Sequence, residues 1–168
     1  SALHAIAESG ATFAPQSAEV RRQIAPTGEV VDAASQELRG IRERLGKQRA
    51  RLRGTLESYL RGKDTAKYLQ EQVITERNGR LVLVVRAEHR SAIPGIIHGS
   101  SGSGASLYLE PLSTVEINNE IVAIEQQERE EVHRILRQLT DAFRSKPIEL
   151  RQAVEQRVER ARHLQARQ

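Results

Sequence analysis

Leucine and isoleucine return at steps of three, four or seven residues from Leu38 through Ile41, Leu45, Leu52 and Leu56 to Leu60, the spacing of one face of an α-helix. Ser35 stands before the run as an N-cap, although no Glu or Gln follows three residues on to close a capping box. Gly40, Gly46 and Gly54 lower the propensity of this helix, so it depends on a packing partner. The same period returns at Ile117, Ile121, Ile124, Val132, Ile135, Leu139 and Phe143. Pro111 precedes it and suits the first helical position, where a missing N–H costs nothing. A helix from there to about Phe143 rises ~1.5 Å per residue to about 50 Å. A last helix follows Pro147, with Leu150, Val154, Val158 and Ala161 inward. Near the start, short helices around Ala2–Glu8 and Ser17–Ile24 are broken by Pro15 and by Pro26-Thr27-Gly28.

Between the long helices the period changes to that of strands. Val73 and Thr75 lead to Asn78-Gly79 and then to the run Leu81–Val85, and Asn-Gly between β-formers predicts a two-residue hairpin. Pro94-Gly95 starts another turn, and Ile96-Ile97 and Leu107-Tyr108-Leu109 are two further strands joined by the loop "HGSSGSGAS". The fold class that follows is α+β, mainly α: long antiparallel helices with a small antiparallel β-module inserted at their tip. Its segments are 1–70 for the N-terminal segment and first long helix, 71–110 for the β-module, and 111–168 for the second long helix and a C-terminal helix.

Composition supports a helical protein that buries one stripe per helix. Only 38% of residues are hydrophobic and 3% aromatic, while 29% are charged. The absence of methionine, even at position 1, reads as a piece cut from a longer protein, with Ser1 and Ala2 as a trace of cloning. With no cysteine, disulfides, thiolate metal sites and a cysteine nucleophile are excluded. No apolar run approaches the ~18 residues of a membrane span and no secretory signal is visible, so a cytoplasmic home is expected. The net charge of +4 permits a polyanionic partner. Its distribution says more. Residues 39–67 hold ten Lys/Arg against three acids, and residues 110–131 hold seven Glu against one Arg. Antiparallel long helices would set these runs side by side, so internal pairing is expected.

No active site emerges. The Gly/Ser loop lacks the Gly-Lys-Ser/Thr of a nucleotide-binding P-loop, and no lysine lies between Lys67 and Lys146. His4, His89, His98, His133 and His163 are scattered, and none sits in a metal-binding motif. His98 beside Ser100, Ser101 and Ser103 has neither a nucleophile elbow nor a third triad member. What remains is a basic β-tip: Arg77, Arg80, Arg86 and Arg90, with Lys63 and Lys67 just below it. Arginines on a hairpin suit phosphates, which fix position and carry no sequence code, although they also solubilise an exposed sheet edge. Three tyrosines and two phenylalanines are few for base stacking, so a duplex fits better than a single strand.

The stretch "RNGRLVLVVRAEHRSAIPGIIHGSSGSGASLYLEPLSTVEINNEI" strongly resembles the second branch of the bacterial MutS family, whose members are similar to mismatch-repair MutS but carry a C-terminal Smr nuclease domain. "GEVVDAASQELRGIRERL" and "KYLQEQVITERNGR" match the same family, so the resemblance runs from about Gly28 to Phe143. The family usually has proline and lysine where this chain has Val84 and Arg86, and aspartate where it has Gly99. Arg86 keeps the charge, and Gly99 leaves the loop without that acid.

The resemblance implies two lever helices of a MutS core carrying a clamp that touches the DNA backbone without reading sequence. It implies branched or duplex DNA as partner in recombination suppression or repair, and for some members the clearing of collided ribosomes. The alternatives are a ribosome-binding arm meeting rRNA and a dimerisation module. The whole protein is expected to be a homodimer with ATP, Mg²⁺ and nuclease chemistry in other domains. This chain is expected to hold no cofactor or metal and to be no enzyme. The contact residues expected from charge and position are Arg77, Arg80, Arg86, Arg90, Lys63, Lys67, His98, Ser100, Ser101 and Ser103.

Overall fold

A computed structural model describes residues 18–168; the helix expected around Ala2–Glu8 lies outside them. Residues 18–23 are helical, and Ile24 then leaves the helix to bridge Val30 across the Pro26–Gly28 turn. Gly28 has φ +93°, and a Cβ there would meet the Arg160 carbonyl oxygen at 2.9 Å, so this turn needs glycine twice over. Three helices follow: α1 (Gln36–Arg61), α2 (Leu112–Phe143) and α3 (Ile148–Ala166). Ser35 caps α1, its Oγ accepting from the Leu38 amide at 2.9 Å. Four strands lie between α1 and α2: β1 (Leu69–Arg77), β2 (Arg80–Arg86), β3 (Gly95–Ser100) and β4 (Ser106–Pro111). The protein is thus α+β and mainly helical, with a small antiparallel sheet inserted between two long helices.

The described residues pack as two units. One is formed by the residues up to Glu43 with Gln126–Gln168, the other by Arg44–Glu125. In the first, Leu38 shares one buried cluster with Val132, Ile135 and Leu139 of α2 and the inward stripe of α3, Leu150, Val154, Val158 and Ala161. Arg42 ties this unit together, with Nη1 donating to the Val30 carbonyl (2.6 Å) and Asp32 (2.7 Å) and Nε to Glu128 (3.1 Å).

In the second unit the core stripe of α1, Leu45, Leu52 and Leu56, packs against Ile117 and Ile121 of α2 and against Leu83, Val85 and Leu109 of the sheet. The strand order is β1-β2-β4-β3, every pair antiparallel. Strand β2 is central, and its run Val82–Val85 is buried throughout, so its side chains on both faces leave water. Pro111 differs from the sequence expectation by one residue. It closes β4 opposite Gly95, and the helix begins at Leu112, because cross-strand pairing extends through the proline.

Candidate nucleic-acid interface

The expected hairpin forms. Asn78 and Gly79 both have positive φ, 55° and 74°, as a two-residue type I′ turn requires, and Arg77 pairs with Arg80 across it. Its position is the surprise. Glu76, Gly79 and Leu81 line a cleft of about 390 Å³ together with Arg49, Leu52 and Arg53 of α1 and Asn118, Ile121 and Glu125 of α2. The turn therefore lies beside the helices. At the opposite end of the sheet Leu69 faces Val85, Arg86 faces Ser106, and the Ala87 amide donates to the Ala105 carbonyl of the Gly/Ser loop at 3.0 Å.

The ten candidate residues divide between these two ends. At the hairpin end, Arg80 is turned inward. Its Nε donates to Glu110 Oε2 (2.8 Å), Nη1 to Asn119 Oδ1 (3.0 Å) and Nη2 to the Val115 carbonyl (3.4 Å), with Nη2 also 2.6 Å from Glu110 Oε2 in the ion pair. His98 Nε2 donates to the other oxygen, Glu110 Oε1, at 2.8 Å, and Asn118 Nδ2 to Oε2 at 2.8 Å. Glu110 is only 1% exposed. Burial pushes its carboxyl up, but the hydrogen bonds from Arg80 and His98, the Arg80 charge and the Asn118 amide outweigh that and hold it below the usual glutamate range. Arg77 is also engaged, its guanidinium 4.0 Å from the Tyr108 ring centroid and its Nη1 donating to the Glu76 carbonyl.

At the other end stand Lys63, Lys67, Arg86 and Arg90, all exposed. None forms an ion pair with a described residue. Lys67 lies over the Tyr68 ring at 5.2 Å, and Tyr68 stacks at a tilt on His89, with centroids 5.1 Å apart. The serines sit in the adjoining loop. Ser101 Oγ accepts from the Ser106 amide (3.1 Å) and Ser103 Oγ from the Ala105 amide (3.3 Å), so both hydroxyls brace the turn, while Ser100 ends β3.

Residue spacing had not singled out Glu110, Asn118, Tyr108 or His89. One signal was available for the first: Glu110 carries a charge at the end of the apolar run Leu107–Leu109, on the same strand face as Tyr108. The two charge runs meet where Arg42 pairs with Glu128 and where Arg49 approaches Glu125 at 3.8 Å. Helical periodicity turns Lys47 and Arg51 of α1 away from the acidic helix.

Among the described residues no helix is long and apolar enough to cross a membrane, and no group of three His, Asp or Glu is placed to hold a metal ion. A small antiparallel sheet inserted between two long helices agrees with what the resemblance to the MutS family implies. No family model matches the chain. It is 45% identical over 122 residues to Endonuclease MutS2 of Pelotomaculum thermopropionicum, covering 73% of this chain and 16% of that protein. It is 40% identical over 153 residues to Endonuclease MutS2 of Bacillus velezensis, covering 91% and 20%. A Putative endonuclease MutS2 of Bacillus subtilis is 40% identical over 139 residues, covering 83% and 18%. The chain belongs to the MutS2 branch of the MutS family. It spans a fifth or less of the length of these relatives.

Proposed function

We propose that this chain is a non-catalytic clamp that grips the backbone of branched or duplex DNA without reading sequence. It relays that contact along its helices to an ATPase domain elsewhere in the longer protein, in the suppression of recombination or in repair. The observation that carries this reading is the sorting of the cations. Arg80 is committed to Glu110, whereas Lys63, Lys67, Arg86 and Arg90 are exposed towards the other end of the sheet and none of them is ion-paired with a described residue. Exposed, unpaired Lys and Arg lose little solvation on meeting phosphate and release its counterions, which favours association. The relatives' name, endonuclease, supports nucleic acid as the partner. On this reading ATP, Mg²⁺ and the contacts of a homodimer lie outside the chain.

The test is binding of the chain to a labelled four-way junction and a plain duplex across a salt series. Four phosphate contacts at this end contribute about −3.6 to the slope of log K against log salt on duplex, and Arg86→Ala/Arg90→Ala removes about half of that contribution. No binding at low salt, or a slope that the variant leaves unmoved, overturns the proposal and transfers the basic end to rRNA or to self-association.

A further inference from the structure

The outer face of α1 carries a second basic feature. Lys47, Arg51, Gly54 and Ser58 stand at i, i+4, i+7 and i+11, on one side of the helix, and all four are exposed. The opposite side supplies Leu45, Leu52 and Leu56 to the core. Past Ser58 the line reaches the helix end at Arg61 and continues in the chain to Lys63, at the basic end of the sheet.

Three properties of this strip cost helix stability. Lys47 and Arg51 are like charges at i,i+4, which repel. Arg51 finds Lys47, Gln48, Gly54 and Thr55 at i±4 and i±3, none of them acidic, and neither cation forms an ion pair with a described residue. Gly54 weakens the helix, yet a Cβ there would meet no described residue within 4 Å, so no packing among the described residues asks for glycine. A polyanion laid on this face compensates all three. Its phosphates neutralise the two cations, and the missing side chain at Gly54 with the short one at Ser58 lets a backbone approach the helix closely.

We infer that the strip continues the nucleic-acid site of the sheet end, so that one strand of a duplex runs from the Lys63–Lys67 corner down the outer face of α1. The inference rests on reading that end as a phosphate-binding surface. From Lys47 to Arg61 the strip is ~21 Å long, roughly six phosphate spacings of one strand.

The experiment measures affinity for a 20-base-pair duplex across a salt series, in the unaltered chain and three variants. These are Arg86→Ala/Arg90→Ala at the sheet end, Lys47→Gln/Arg51→Gln on the strip, and Gly54→Gln. All five positions are exposed, and circular dichroism confirms folding. The strip variant is expected to lower the salt slope by about 1.8, so that the fall in affinity between 50 and 200 mM salt shrinks about tenfold. Gly54→Gln favours the helix and is expected to weaken binding nonetheless. A strip variant with the unaltered slope, beside a sheet-end variant that has lost its own share, overturns the inference and leaves the sheet-end reading standing. Absence of salt-dependent binding by the unaltered chain overturns both.

Discussion

Arg80 Nη2 lies 2.6 Å from Glu110 Oε2, and the two side chains are 17% and 1% exposed. The pair joins β2 to β4. Through Asn118, Asn119 and the Val115 carbonyl it also fastens both strands to the first turns of α2. A charge so far from water survives because every oxygen of the carboxylate is occupied. This makes the arginine beside the hairpin turn a joint of the fold, and it separates Arg80 from the cations that face solvent.

Removing one partner leaves the other buried and uncompensated. Arg80→Ala is expected to destabilise the chain by about 3 kcal/mol, lowering its Tm by roughly 6–12 °C. Arg86→Ala, at an exposed site, is expected to stay within about 0.5 kcal/mol. Thermal unfolding followed by circular dichroism distinguishes them; equal losses would mean that the Glu110 cluster contributes nothing special.

Acid should loosen the same joint. Glu110 titrates below the usual glutamate range in the folded chain, so its contribution is complete at neutral pH. It is lost as pH falls below the ordinary value of ~4.3 and through the depressed folded value. Urea unfolding at neutral pH and at several acid values should therefore show a steep acid limb that Glu110→Gln flattens. An acid limb unchanged by the substitution would place the titration elsewhere.

Two glycines should respond to alanine with opposite signs. At Gly28 the new Cβ meets the Arg160 carbonyl in a left-handed conformation, and a loss of about 2 kcal/mol is expected. At Gly54 it meets open space on a helix, and a gain of up to about 1 kcal/mol is expected. Chemical denaturation midpoints read both.

Arg77 and Tyr108 should be energetically coupled. A double-mutant cycle with Arg77→Ala and Tyr108→Leu is expected to give about 0.5–1 kcal/mol, the range for an exposed guanidinium over an aromatic ring, here half-buried. A coupling of zero would return Arg77 to the free cations.

Much of this protein was legible along the chain. Apolar residues at helical spacing marked α1, α2 and α3 and the residues each buries, down to the four inward positions of α3. Asn78-Gly79 marked its hairpin, since only that turn type pairs two right-twisted strands across two residues with positive φ. These features depend on period and backbone conformation, which neighbours in sequence control. The arginines did not sort themselves by the same means. Arg77, Arg80, Arg86 and Arg90 look alike on a hairpin, and proximity to the turn suggested a single basic tip. Only the packed sheet decided that the turn folds back against α1 and α2, that Arg80 and His98 close on Glu110 from other strands, and that Lys67, Arg86 and Arg90 remain in water at the far end. Hydrophobic burial sets where a strand lies and local geometry how it turns. Whether a charge is a joint or a free ligand depends on which distant side chain comes within 3 Å of it, and that is settled only when the whole sheet is in place.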